Sequence, residues 1–131
     1  MTRTRPVLLA LGLIGAAALA VAPATARTDV ADVVRKPQTR TVKVIDNYYQ
    51  PRRLTVNRSS TVRFVWTDEA ADVHDVKLTS GPRGVRKFET EPLAVGDVYK
   101  RVLKVPGTYK ILCTFHEEDD MRMTIIVRKR R

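Results

Sequence analysis

From Thr39 onward this chain never sustains a helical hydrophobic period. It runs in short apolar alternations broken by turn residues, which points to an antiparallel β-sandwich or barrel. Thr41 to Ile45 reads as the first strand, and Asp46-Asn47 begins a turn toward Tyr49-Gln50-Pro51. Leu54-Thr55-Val56 follows. Asn57 to Ser60 then turns the chain into Thr61 to Trp66, where Val62, Phe64 and Trp66 share one face at period two and are assigned to the core. A further strand is expected from Val73 to Leu78, carrying His74 and ended by Ser80-Gly81-Pro82-Arg83-Gly84. Val98 to Leu103 and Tyr109 to Cys113 read as strands joined through a turn at Pro106-Gly107, and Met123 to Val127 closes the fold. Tyr109 lies four residues before Cys113, on the same side of its strand, and is also expected in the core.

The N-terminus has a different character. Arg3 and Arg5 precede an uncharged run of 16 residues, Val7 to Ala22, which ends in Pro23 and the small-residue triplet Ala24-Thr25-Ala26. Residues 1–26 therefore read as a signal peptide cleaved after Ala26. The run falls short of the roughly 20 apolar residues a spanning helix wants, and it is rich in Ala and Gly. An exported protein follows, whether secreted, periplasmic or associated with the cell envelope. Residues 27–38 are expected to be a flexible leader, residues 39–128 one domain, and residues 129–131 a basic tail.

Without the signal the balance is 22 basic against 14 acidic residues, a formal net charge of +8. Such a surplus raises the question of nucleic acid. Export argues against it, and so does the scatter of Lys43, Arg52, Arg53, Arg63, Lys77, Arg101 and Arg128 along the strands, without an aromatic platform. A basic surface outside the cytoplasm favours contact with an anionic envelope surface or an acidic partner.

The cysteine count is more selective. An exported chain uses Cys mainly in disulfides, and the single Cys113 cannot form one within the chain. It sits in Cys113-Thr114-Phe115-His116-Glu117-Glu118-Asp119-Asp120-Met121, where a thiolate, an imidazole and a thioether come from one loop between two strands. Two histidines and a cysteine in trigonal array with a long axial methionine form the donor set of blue-copper electron-transfer sites. His74, the one other histidine, completes that set if its segment lies beside the loop. Zinc is disfavoured by the donor order. A Cys113 nucleophile lacks any accompanying oxyanion or substrate motif, so no enzyme activity is expected.

Here the sequence resembles the plastocyanin-like cupredoxins, the type 1 blue copper protein family, from Val44 to Val127. The resemblance is carried by Tyr49-Gln50-Pro51 before Leu54-Thr55-Val56, by Val73-His74-Asp75-Val76, and most specifically by Pro106-Gly107-Thr108-Tyr109 before Cys-x₂-His-x₄-Met. It implies an all-β Greek-key sandwich of the cupredoxin type. One copper ion would be tethered from inside by His74 and Cys113, with His116 at the surface as the electron portal and Met121 axial in preference to Met123. It implies a monomeric one-electron carrier cycling between Cu(I) and Cu(II) with a redox partner protein. The alternative is a module of the same fold that delivers, stores or buffers copper.

Two departures from the family pattern change the expected surroundings. Asp75 stands where the family often has Asn; it can accept a bond from Thr114, and its charge near the thiolate favours Cu(II). Glu117, Glu118, Asp119 and Asp120 replace small or apolar residues beside His116. This run reads as a solvated loop tip, a docking patch for a cationic partner, or a source of extra oxygen ligands. Phe115 is placed against the site, where it would restrict water.

Overall fold

The strand inventory follows from where β-branched and aromatic residues alternate with polar ones. A computed structural model describes residues 36–129, and among them there are eight strands and no helix. The strands are β1 (Thr39–Ile45), β2 (Tyr48–Gln50), β3 (Arg53–Asn57), β4 (Ser60–Trp66), β5 (Lys77–Ser80), β6 (Val98–Leu103), β7 (Gly107–Leu112) and β8 (Arg122–Arg128). The expected signal peptide and most of the expected leader lie outside the described residues.

The strands form two four-stranded sheets, ordered β2-β1-β4-β6 and β3-β8-β7-β5. Pairing is mixed rather than wholly antiparallel: β1 runs parallel to β4 and β3 parallel to β8. The cause is topological. The chain changes sheet between β2 and β3 and again between β3 and β4, so these neighbours are not joined by hairpins. The strand predicted from Val73 to Leu78 is shorter than expected. His74 lies ahead of β5 on an isolated bridge to Leu93, because Val73 to Val76 lacks a continuous ladder partner.

The core forms between the inward faces. In β4 the alternation is complete, with Ser60, Val62, Phe64 and Trp66 all buried, and β8 matches it with Met123, Ile125 and Val127. Tyr49 meets Phe64 edge-on at 6.2 Å between ring centroids, and Tyr109 is buried as its spacing implied. Each such side chain contributes on the order of 1.5–3 kcal/mol by leaving water.

Register places charge as well as bulk. No strand contains an Asp or a Glu, and every acid among the described residues lies in a connecting segment. These are the β1–β2, β4–β5 and β7–β8 connections and the β5–β6 connection from Glu89 to Asp97, all reaching the end of the sandwich where β1, β4 and β7 finish. The opposite end carries Arg58 and Lys104.

The Pro106-Gly107 turn is tighter than its sequence reveals. Gly107 has φ of 138°, and a Cβ built there would stand 2.7 Å from the Pro82 Cβ. Gly107→Ala should therefore lose about 1–3 kcal/mol of stability, read as a lower denaturation midpoint, while Gly84→Ala, with open space around its Cβ position, should cost less.

Candidate metal centre

Strand β7 delivers Cys113 to the end of the sandwich, and β8 carries the chain away from it. The connecting loop is closed by two backbone bonds, from Cys113 N–H to Met121 O at 3.0 Å and from Met121 N–H to His116 O at 3.1 Å. Cys113 and Met121 are thereby held side by side with no exposure, while the His116 side chain remains 15% exposed. Met121 and Met123 are two residues apart and both are buried, so parity alone does not choose between them. Met121 belongs to the loop closure, whereas Met123 sits in β8 opposite Ile111.

His74 arrives on a separate segment that is fixed at its backbone. Its N–H donates to Leu93 O, and its carbonyl accepts both Leu93 N–H at 2.9 Å and the Trp66 indole N–H at 3.2 Å. One residue on, the Asp75 carbonyl accepts the buried Tyr49 hydroxyl at 2.5 Å. Burial pushes that phenol far above its ordinary pKa, with the Cys113 and Asp75 charges adding to the effect, so it stays a neutral donor. The two ligand segments are joined by Asp75 itself, which accepts Thr114 N–H and Thr114 Oγ1–H, each at 2.7 Å. The bond expected from Thr114 is present twice over.

The three strongest donors converge. His74 Nδ1 and His116 Nδ1 are 3.1 Å apart, and Cys113 Sγ lies 3.8 Å from the first and 3.7 Å from the second. A point in the plane of these atoms lies about 2.1 Å from each, inside the roughly 2.0–2.3 Å range of imidazole and thiolate bonds to a first-row metal such as zinc. The acidic run from Glu117 to Asp120 does not join them: His74, Cys113 and His116 are the one cluster of suitable geometry found among the described residues. The donor set thus fits a soft, borderline metal with two nitrogens and a sulfur.

Each imidazole presents Nδ1 inward and Nε2 to a carboxylate. His74 Nε2 is 3.1 Å from Asp46 Oδ1, and His116 Nε2 is 3.8 Å from Asp72 Oδ2. A proton on His74 Nε2 shared with Asp46 leaves the Nδ1 lone pair free, which is the tautomer a metal requires. The backbone N–H of Asp72 holds the Asp46 carboxyl below its ordinary pKa against a smaller opposing effect of burial, and the His74 ring adds to the lowering. Asp46 was expected only to start a turn. Its role is invisible in sequence, because 28 residues separate it from His74 and nothing in a lone turn aspartate signals a partner.

Cys113 is pulled two ways. Burial pushes its thiol pKa up, and the Asp75 carboxylate pushes in the same direction, while backbone N–H groups of Asp75 and Phe115 lower it. Without metal the thiol keeps its proton at neutral pH, and a ligated metal has to displace it.

One expectation for the surroundings is corrected and another is narrowed. Phe115 is 50% exposed and lines a groove with Asp75, Glu89 and Glu91 instead of shielding the donors. The Glu117 to Asp120 run is not free along its length. Glu117 pairs with Arg122 at 3.0 Å, and Asp120 pairs with Arg122 at 3.2 Å and with Arg52 at 2.8 Å, leaving Glu118 and Asp119 without an ion pair among the described residues. The Arg52 guanidinium also donates to Asp120 O, pinning the loop.

The profile of the cupredoxin-like domain matches residues 11–127 of this chain. No curated protein sequence matches it. Among solved structures, a reduced variant of amicyanin is 25% identical with a TM-score of 0.58, covering 67% of this chain and 80% of that one. A pseudoazurin from Sinorhizobium is 22% identical with a TM-score of 0.58, covering 70% and 74%. A Cu-containing nitrite reductase from Thermus scotoductus is 27% identical with a TM-score of 0.57; the match covers 71% of this chain but 23% of the reductase.

Removing the Asp46 carboxylate tests the tautomer argument. Asp46→Ala should weaken Cu(II) or Zn(II) binding about 10–100-fold in a competition titration against a chelator, whereas Asp46→Asn, whose amide oxygen still accepts the Nε2 proton, should lose much less.

Proposed function

The chain belongs to the cupredoxin-like family, and on that premise we propose that it is an exported type 1 copper protein, a small one-electron carrier whose His74, Cys113, His116 and Met121 hold one copper ion. The observation that carries this is the triangle of His74 Nδ1, His116 Nδ1 and Cys113 Sγ, closed enough to share one ion and held by groups outside it. Bound there, copper supplies a one-electron Cu(I)/Cu(II) couple.

The protein's part is to keep the donors where they are when the charge changes. Trp66 and Tyr49 clamp the carbonyls of His74 and Asp75, Thr114 ties the Cys113 loop to Asp75, and Asp46 fixes the His74 ring. A donor set fixed on three sides resists rearrangement, which favours electron transfer over the delivery or buffering of copper, where donors have to open. His74, Cys113 and Met121 are buried, so His116 is the donor through which an electron reaches the surface most directly. The acidic loop end around it supports a redox partner with a cationic face, met by Glu118 and Asp119 in particular. Export is supported by the signal pattern of residues 1–26 and by the single cysteine, whose thiolate a metal protects. The Cu-containing reductase is a chain of which this one spans about a quarter, and its activity is not carried over.

Adding Cu(II) to the protein should produce intense thiolate-to-copper absorption in the visible range, and a colourless product would overturn the reading. Cys113→Ala should abolish the band. Met121→Gln should shift the spectrum and the potential but retain metal, and Met123→Gln should leave the spectrum nearly unchanged while lowering stability, since it buries an amide in the core. Asp75→Asn should keep the colour and raise the reduction potential, because a negative charge that favours Cu(II) is removed. A shift of about 60 mV, a tenfold change for one electron, is the scale to look for by voltammetry.

A further inference from the structure

Toward the end of the sandwich opposite the metal donors, the edge strand β6 and the segment after Gly84 enclose a groove of about 450 Å³. Its charged lining is wholly cationic: Arg86, Lys100, Arg101 and Lys104. None of the four forms an ion pair among the described residues, and the Arg101 guanidinium lies 4.5 Å above the Phe88 ring. At the groove's far end Arg58 donates to Lys104 O at 3.0 Å, which extends the basic strip around the β6–β7 turn.

Cations on an edge strand have one ordinary use, to discourage edge pairing with another chain. That accounts for Lys100 and Arg101. It leaves unexplained Arg86, which belongs to a different segment, and Lys104, which lies beyond the strand. The outward face of β6 also alternates Lys100 with two exposed valines, Val98 at 41% and Val102 at 46%. A soluble polyanion has no use for those valines, whereas a lipid interface takes up cations and small apolar side chains together.

We propose that this groove and the outward face of β6 dock on an anionic phospholipid surface. The fold adds an orientation. Every acid of the described residues lies in connections reaching the end that carries His74, Cys113 and His116, so the same surface repels that end. Seated by β6 and the opposite end, the protein keeps the His116 edge turned away from lipid and free for a partner. The orientation rests on the carrier reading above; lipid binding itself does not.

The test is sedimentation of the full chain with vesicles of phosphatidylglycerol in phosphatidylcholine. The triple variant Arg86→Glu, Lys100→Glu, Lys104→Glu is compared with Arg53→Glu, Lys110→Glu, Arg128→Glu, which removes the same charge from the outer face of the other sheet. All variants share the N-terminal apolar run, so differences report the folded domain. The groove variant should bind roughly a hundredfold more weakly, at about fivefold for each cation lost, while the control loses less than about threefold. Val98→Ser with Val102→Ser should weaken vesicle binding further. Retained copper colour in each variant shows that the site is formed, so lost lipid binding and a lost metal site are told apart. Equal loss in both charge variants, or no loss in either, overturns the proposal. So does a groove variant that loses as much binding to pure phosphatidylcholine as to the mixed vesicles. If inorganic polyphosphate competes fully and the valine changes have no effect, the groove serves a soluble polyanion and the lipid assignment fails.

Discussion

Two hydrogen bonds of 2.7 Å, from Thr114 to the Asp75 carboxylate, join segments that lie 39 residues apart. On one side of this tie is the Cys113 loop, which carries three of the candidate donors; on the other is the segment carrying His74. The tie is buried on the Asp75 side, where an unpaired carboxylate would be costly, and both of its oxygens are engaged. His74 has no strand of its own, so its place depends on this link, on the bridge to Leu93 and on the Trp66 and Tyr49 clamps. The core supplies those clamps, since Trp66 and Tyr49 are among its largest fully buried side chains. Packing and site geometry are therefore one arrangement.

The carboxylates around the donors have different tasks. Asp75 ties loops and opposes ionisation of the thiol, Asp46 orients a ring, and Asp120 with Glu117 anchors the loop through Arg52 and Arg122. Exposed ion pairs such as these last contribute little to stability, of order 0–1 kcal/mol each. Their effect is on the acidic run itself, whose ends are neutralised and whose middle stays available. At larger scale the absence of acids from all eight strands makes the molecule electrostatically lopsided, acidic at the donor end and basic along the body. A net charge alone would not reveal this.

Much of the fold was legible because period two reports burial directly: Val62, Phe64 and Trp66 are buried together as their spacing implied, as is Tyr109. The clustering of His74, Cys113 and His116 was legible because so few residues of those types exist that the choice was forced. Strand order was not, since a parallel neighbour such as β4 beside β1 leaves no local turn to betray it. The exposure of Phe115 was not legible either, because it lies in the connection between β7 and β8, where no period reports burial.

What the sequence by itself determined is local: where strands run, which faces are apolar, and a thiol, an imidazole and a thioether in one short loop. Periodicity and turn chemistry act between neighbours, so one dimension is enough to record them. Only the tertiary structure decided that Asp46 faces His74 Nε2, that Asp75 closes on Thr114, and that the acids gather at one end while Arg86 meets Lys100 and Lys104 at the β6 edge. Those encounters join residues 14 to 39 positions apart. They exist because two sheets pack face to face, and sheet packing is a property of the whole chain.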